Sequence, residues 1–319
     1  MAITLGMAGD TMLGRGVAEH LLDHPPSSLF SPDVVEAAHE ADLFVLNLEC
    51  CISERGARWP DPTKPFFFRA PPAAVEALSV LGVRCVTLAN NHALDFGAEA
   101  LLDTLAYLAS AGIEALGAGP DLEGARAPAV LDANGFRLGV VGLTDHPADY
   151  AAGPNRPGVA YADLRAELPV WVEDAIRSTN ADAVLVTLHW GPNMSPEPVS
   201  HVRRAARAVS GAGATLVAGH SAHVFQGVAD RVLFDLGDFI DDYAVDAVLR
   251  NDLGLLWLVT MDGAGPIRLE AVPLALDYCH TRVAAGEEWE WIHRRFVDAC
   301  AAFDTVVEVR NRRLTIQWR

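Results

Sequence analysis

The stretch CVTLANNHALDFG, residues 85–97, carries the pattern that decides the fold. An apolar run of strand length, Cys85 to Ala89, breaks into Asn91, His92 and Asp95. A helix-period segment then begins near Gly97, runs through Leu101, Leu102, Leu105 and Leu108, and closes near Gly112. A strand that ends in polar, ligand-type side chains and hands over to a helix is the unit of an open α/β sheet, where ligands bind beyond the carboxyl ends of strands.

The same unit recurs in both directions along the chain. Apolar runs at Ile3 to Ala8, Leu43 to Leu48, Arg137 to Leu143, Ala183 to Leu188 and Thr215 to Ala218 read as strands. Asp10 follows the first, Glu49 the second, His189 a later one, and His220 with His223 the last. Val75, Leu78 and Leu81, preceded by Pro71 and Pro72, read as a helix opened by proline. Beyond about residue 220, Arg231 to Leu236, Leu255 to Met261 and Ile267 to Leu274 read as successive strands with glycine-marked turns, a plausible second sheet. Glu287 to Phe303 returns to helical period, and Val306 to Trp318 is a short basic, β-prone tail.

Composition narrows the function. The 319 residues are 51% hydrophobic, enough for one large domain. The net charge of −18 supplies no positive field for nucleic acid or anionic lipid. Five cysteines without CxxC spacing argue against a disulfide framework and against a cysteine zinc site. The chain passes from Met1 straight into a strand-like run, and no stretch approaches the roughly eighteen uncharged apolar residues of a membrane span. The expectation is a cytoplasmic protein, neither exported nor anchored.

Carboxylate, amide and imidazole groups are the ligands that borderline divalent ions accept, and a shared carboxylate can hold two ions close together. One histidine at a strand end is most often structural. Six ligand-type positions at successive strand ends favour a metal site. The loop from Cys51 to Pro71 stands apart, with Trp59, Lys64, Phe66 to Phe68 and Arg69. It reads equally as an aromatic rim carrying cations or as a covering loop that buries its rings.

In order, the segments GDTMLGR (9–15), NLE (47–49), FRAPP (68–72), ANNHALDFG (89–97), HWG (189–191) and GHSAHVFQ (219–226) resemble the CapA family, named for bacterial capsule and poly-γ-glutamate synthesis. HWG alone is weak; NNHxxD followed by GHxxH is specific. That family in turn resembles the calcineurin-like metallophosphoesterases. The resemblance implies a four-layer αββα sandwich over residues 1–285, with 286–319 as a C-terminal helix and tail packed on the same domain. It also implies two divalent ions, with Mn, Zn, Fe and Ca or Mg not distinguished. Asp10 and His223 would hold one ion, Asn91, His189 and His220 the other, with Glu49 bridging and His92 as acid or base.

Three positions depart from the pattern. Met12 stands where the phosphoesterases have the histidine of Asp-x-His, so the first ion loses a ligand. Glu49 replaces the usual bridging aspartate. Asp238, in LGDF, stands where the CapA pattern commonly has asparagine, and reads as a group behind the ligands or as a turn residue.

Other residues carry two readings each. Asp95 could orient His92 or cap the following helix. His146 could be a further proton carrier or a turn residue before Pro147. Lys64, Arg69 and Arg15 are the cations expected to face an anionic substrate, with a solvated surface charge as the default for Lys64 and Arg15. Cys50 and Cys51 read as packing.

Three classes of function follow from the resemblance. Hydrolysis of a phosphoester or of a peptide or glutamyl substrate would use water acidified by the two ions, with His92 protonating the leaving group. Epimerisation of a residue in a ribosomal peptide precursor would move a Cα proton between bases on opposite faces. An accessory role in polyglutamate or capsule assembly ranks last. The expected partner is a small anionic or peptide substrate, without nucleic acid or membrane, and the oligomeric state is open.

Overall fold

Residues 2–319 are described by the computed structural model. Alternation along its strands decides the layers. In β1 (Ala2–Thr11), Ile3, Leu5 and Met7 enter one core and Ala8 another. In β2 (Leu43–Leu48), Leu43 and Val45 share the first of these cores, while Phe44, Leu46 and Leu48 share the second. β3 (Cys85–Thr87) contributes Cys85 to the first and Val86 to the second. Strands apolar on both faces require cover on both.

The middle of the chain repeats this logic in a second sheet. In β4 (Phe136–Thr144), Leu138 and Val140 face the core shared with β1, and Val141 and Leu143 belong to a third core. β5 (Ala183–His189) and β6 (Leu216–His220) divide likewise, Leu185 and Leu216 inward, Val186 and Val217 outward. Helices Arg15–Asp23, Pro32–Ala38, Ala74–Val80 and Gly97–Ser110 cover the outer face of the first sheet through Val17, Val34, Leu78 and Leu101. Val170–Ser178 and Ser200–Gly211 cover the second through Val172 and Val202. The architecture is the αββα sandwich.

The sheet partners after residue 220 differ from expectation. β7 (Asp238–Ile240) pairs parallel with β1, and β8 (Leu253–Asp262) pairs antiparallel with it, from Ala2 opposite Asp262 to Met7 opposite Trp257. β9 (Gly265–Asp277) follows β8, so these strands extend the first sheet to ten strands. The second sheet is built instead from residues between Ala129 and Leu233, and the expected strand at 231–236 contracts to Val232–Leu233, one strand in from its edge. Period-two patterning marks a strand without naming its neighbour.

Helix Gly286–Ala301 sends Ile292, Phe296 and Cys300 into the core between the sheets, where Phe296 meets Trp257 edge-on at 5.5 Å. The tail forms a hairpin, Glu308–Arg310 with Arg313–Gln317, on the edge of the first sheet. All five cysteines are buried and unpaired.

Gly9 fixes how closely β1 approaches the segment before β7. A Cβ there would lie 1.7 Å from the Gly237 carbonyl oxygen, which accepts the Asp10 N–H at 2.9 Å. Gly9→Ala is therefore expected to cost about 3 kcal/mol in urea unfolding. A loss below about 0.5 kcal/mol, the range of neutral surface changes, would show that the two backbones part freely.

Candidate metal centre

Strand register brings the polar residues together. β1, β2 and β3 run parallel in one sheet, and β4, β5 and β6 run parallel in the other. Asp10 lies opposite both Asn47 of β2 and Asp238 of β7, with a register irregularity beside it in each pairing. Such bulges re-aim a side chain at the rim of a sheet. His189 and His220 are register partners at the ends of β5 and β6. Glu49 follows β2, and Asn91 and His92 lie in the turn after β3.

The turn after β6 is strained. Ser221 and His223 hold φ of 106° and 57°, a region costly for residues with side chains. Ser221 N–H donates to Asp10 Oδ2 at 3.2 Å, and Ala222 N–H donates to Asp235 Oδ2 at 2.8 Å. These bonds hold His223 back over the cluster, its Nδ1 3.3 Å from Asp10 Oδ2.

Two groups of ligand atoms share Asp10: Asp10 with His223 and Asp238, and Asp10 with Glu49 and His189, each set lying within 4.8 Å. Glu49 Oε1 is 3.8 Å from His189 Nε2, and its Oε2 is 4.0 Å from His223 Nδ1. His220 Nδ1 is 3.7 Å from Asp10 Oδ1, while its Nε2 lies 2.9 Å from Thr187 Oγ1. Both oxygens of Glu49, both ring nitrogens of His189, His220 Nδ1, Asn91 Oδ1 and Asp238 Oδ2 are buried without a hydrogen-bond partner. Buried polar atoms are seldom left bare. Their concentration at one point fits a divalent cation, and the donor set of carboxylates, imidazoles and an amide fits a borderline one.

The electrostatics agree. Burial, and then the charge of Asp10, pushes Glu49 well above the usual carboxylate range. Burial lowers His220 to about 4 and, with the surrounding histidines, lowers His189 well below its ordinary value. Both are thus neutral imidazoles at pH 7, the form that binds metal. His223 goes the other way: burial pulls it down, but Asp238 and Glu49 outweigh it and the net shift is upward, so an ion bound there would have to displace a proton.

Asp95 is the hub beside the cluster. Its Oδ2 accepts from His92 Nδ1–H and from the Phe68 N–H, each at 2.6 Å, and its Oδ1 accepts from Lys64 Nζ at 3.0 Å and from the Tyr150 hydroxyl at 3.2 Å. Helix Gly97–Ser110 has Phe96 at its N-cap and no side-chain cap bond, so the orienting contact of Asp95 is the one present. His92 Nε2 remains free, 4.0 Å from Glu49 Oε1, and Phe68 stacks on the ring at 4.0 Å. The 51–71 loop does what each of its readings anticipated, burying Phe68 and leaving Phe66 exposed.

The three cations all have partners within the chain. Lys64 is not a solvated charge: its ammonium also donates to the Asn91 carbonyl at 2.7 Å and braces the turn that presents Asn91 and His92. Arg15 is paired with Asp242, Nη2 to Oδ1 at 3.0 Å, and lies 5.3 to 5.8 Å from the rings of Phe66, Phe68 and Tyr243. Arg69 lies over Phe96 at 4.2 Å and donates to the Arg55 carbonyl, partners outside the cluster. Lys64→Met should leave Asp95 a buried charge without its cation and cost about 3 kcal/mol of stability. Arg69→Ala should cost about 1 kcal/mol, the scale of a cation–π contact. Urea unfolding separates the two, and equal small losses would mean that Asp95 does not need Lys64.

His146 reaches the site. Its Nδ1–H donates to Asp145, and its ring centre lies 5.2 Å from that of His189. Asp145 also accepts from His201 at 3.1 Å. His201 has no sequence signal, since it arrives from a separate helix. Asn47 and Asn90, to which the motifs NLE and ANNHALDFG assign no role, also serve the site: Asn47 donates to Asp10 at 2.7 Å, and Asn90 donates to Asn47 at 3.0 Å and accepts the His92 N–H. An asparagine in the otherwise apolar β2 was the available signal.

The chain is similar to several known proteins. A protein named as a probable polyglutamine synthesis accessory protein from Mycobacterium tuberculosis is 30% identical, over 91% of this chain and 89% of its own length. The PGA biosynthesis protein CapA of Bacillus subtilis is 29% identical, over 85% of this chain and 71% of its own. Among solved structures, a phosphatase from Mycoplasma pneumoniae superposes with a TM-score of 0.53 at 14% identity, over 86% of this chain and 94% of that one, a likeness of fold. Among the described residues no helix is long and apolar enough to cross a membrane. The model of the bacterial capsule synthesis protein family PGA_cap matches residues 4–243, which include every proposed ligand, and the chain belongs to that family.

Proposed function

We propose that this chain is a metal-dependent hydrolase acting on a phosphoester or on a peptide or glutamyl bond. The observation that carries the reading is the Asp95-held His92, whose free Nε2 faces Glu49 beside two ligand groups joined at Asp10. Two bound divalent ions would polarise a phosphoryl or carbonyl oxygen and lower the pKa of water. Asp10, Glu49, Asn91, His189, His220 and His223 would hold them. His92 would pass a proton to the leaving group through Nε2, because Asp95 fixes the proton on Nδ1 and so sets the tautomer. Phe68 excludes water from one face of that ring, and Arg15 marks the rim where an anionic or peptide substrate would enter. The names of the relatives favour a glutamyl polymer or peptide as substrate.

A second reading rests on a specific feature, a second Asp-held histidine. Asp145 braces His146 as Asp95 braces His92; His146 lies against His189, and His92 meets the Glu49 oxygen that His189 also approaches. Two such histidines could remove and return a Cα proton of a peptide residue. Incubation in D₂O with Mn²⁺ and Zn²⁺, a generic phosphodiester and short glutamyl peptides, read by mass spectrometry, distinguishes the readings. Cleavage supports hydrolysis; deuterium at a Cα without cleavage supports epimerisation. Neither, in protein carrying its ions, would contradict both and favour an accessory role in polyglutamate or capsule synthesis.

A further inference from the structure

We infer that Asp238 is a direct ligand of the first ion, and that it makes the two ion sites chemically unlike. The inference rests on the dinuclear reading above and goes beyond it. Met12 occupies the position of the missing histidine, and its buried sulfur accepts the Gly14 N–H at 3.0 Å. Without another donor the first site would consist of Asp10, His223 and a share of Glu49.

Asp238 stands where that donor is needed. β7 pairs it directly with Asp10, it is 2% exposed, and its Oδ1 lies 2.8 Å from His223 Nδ1, which is itself 3.3 Å from Asp10 Oδ2. Adjacent ligands of an ion bound at roughly 2.1 Å are about 3 Å apart, so these spacings are those of a coordination edge. A carboxylate that merely braced His223 would need one oxygen. Asp238 buries its second oxygen without a hydrogen-bond partner, beside the Asp241 carboxylate, which also has a bare buried oxygen. Unpaired buried carboxylates at this density call for a cation.

The consequence is an asymmetry of donors. The first site collects the carboxylates of Asp10, Glu49 and Asp238 around one imidazole. The second has His189 and His220 with Asn91, the other oxygen of Glu49 and the shared Asp10, so it has twice the imidazoles and one carboxylate fewer. Oxygen-rich sites favour hard ions such as Mn²⁺, Mg²⁺ or Ca²⁺, and imidazole-rich sites favour Zn²⁺ or Fe²⁺. This chain should therefore take one ion of each kind.

The test uses the full chain, metal-stripped, as wild type and as Asp238→Asn, which keeps the size and the acceptor oxygen but removes the charge. Each is equilibrated with Mn²⁺ and Zn²⁺, singly and together, then measured by elemental analysis and Mn²⁺ paramagnetic resonance. With Zn²⁺ limited to one equivalent and Mn²⁺ in excess, wild type is expected to hold one Zn²⁺ and one Mn²⁺. The variant is expected to keep Zn²⁺ and bind Mn²⁺ at least about a hundredfold more weakly. Mn²⁺ binding weakened by less than about a hundredfold, the range for losing a group that only orients a ligand, would reduce Asp238 to a brace and overturn the inference alone, whereas wild type that binds no ion would overturn the dinuclear reading itself. Should the variant not fold, by circular dichroism, anomalous diffraction from Mn²⁺-loaded wild-type crystals decides. A manganese peak within about 2.6 Å of the Asp238 carboxylate supports the assignment, and a peak beyond that distance overturns it.

Discussion

Hydrolysis of a generic phosphodiester by His92→Asn is expected to fall by about a thousandfold while metal content stays at the wild-type level. The argument is positional. His92 gives its Nδ1–H to Asp95, and asparagine can still offer an N–H there, so the brace and the fold around Phe68 and Lys64 survive. What disappears is the free Nε2 facing Glu49. Loss of metal along with turnover would instead make His92 part of the ligand shell. Unchanged turnover would remove it from the chemistry.

Removal of a ligand should produce the opposite pairing. His220→Ala or Asn91→Ala is expected to weaken metal binding by about a hundredfold or more, and turnover should fall with it. His220 is held in the binding tautomer by Thr187: if Nε2–H donates to the hydroxyl, Nδ1 presents its lone pair toward Asp10. Elemental analysis after gel filtration reads the metal, and circular dichroism checks the fold. Full metal content in either variant would take that residue out of the ligand set.

How much of this was legible in the sequence follows from what each signal encodes. The gathering of ligand-type residues was readable because parallel strands must all present their carboxyl ends to one edge, where register places Asp10, His189 and His220 and where Glu49 follows β2. The four layers were readable through a family resemblance and are explained by alternations such as Leu43 and Val45 against Phe44 and Leu46. Sheet membership of β8 and β9 was not legible, since their patterning is satisfied by any partner that buries the same face. The partners of the cations were not legible for a related reason. Charge counts alone cannot show that Lys64 folds inward onto Asp95 or that Arg15 meets Asp242, contacts spanning up to 227 residues. The LGDF pattern leaves Asp238 as a group behind the ligands or a turn residue, and its pairing with Asp10 across β1 and β7 is visible only in three dimensions.

The measurement that bears most directly on the central claim is the metal content of wild-type protein after equilibration with Mn²⁺ and Zn²⁺ and removal of free ions. The cluster around Asp10 and Glu49 predicts close to two equivalents per chain. Protein that retains no ion would mean that its bare buried carboxylates and imidazoles serve some other purpose, and the proposed chemistry would fall with them.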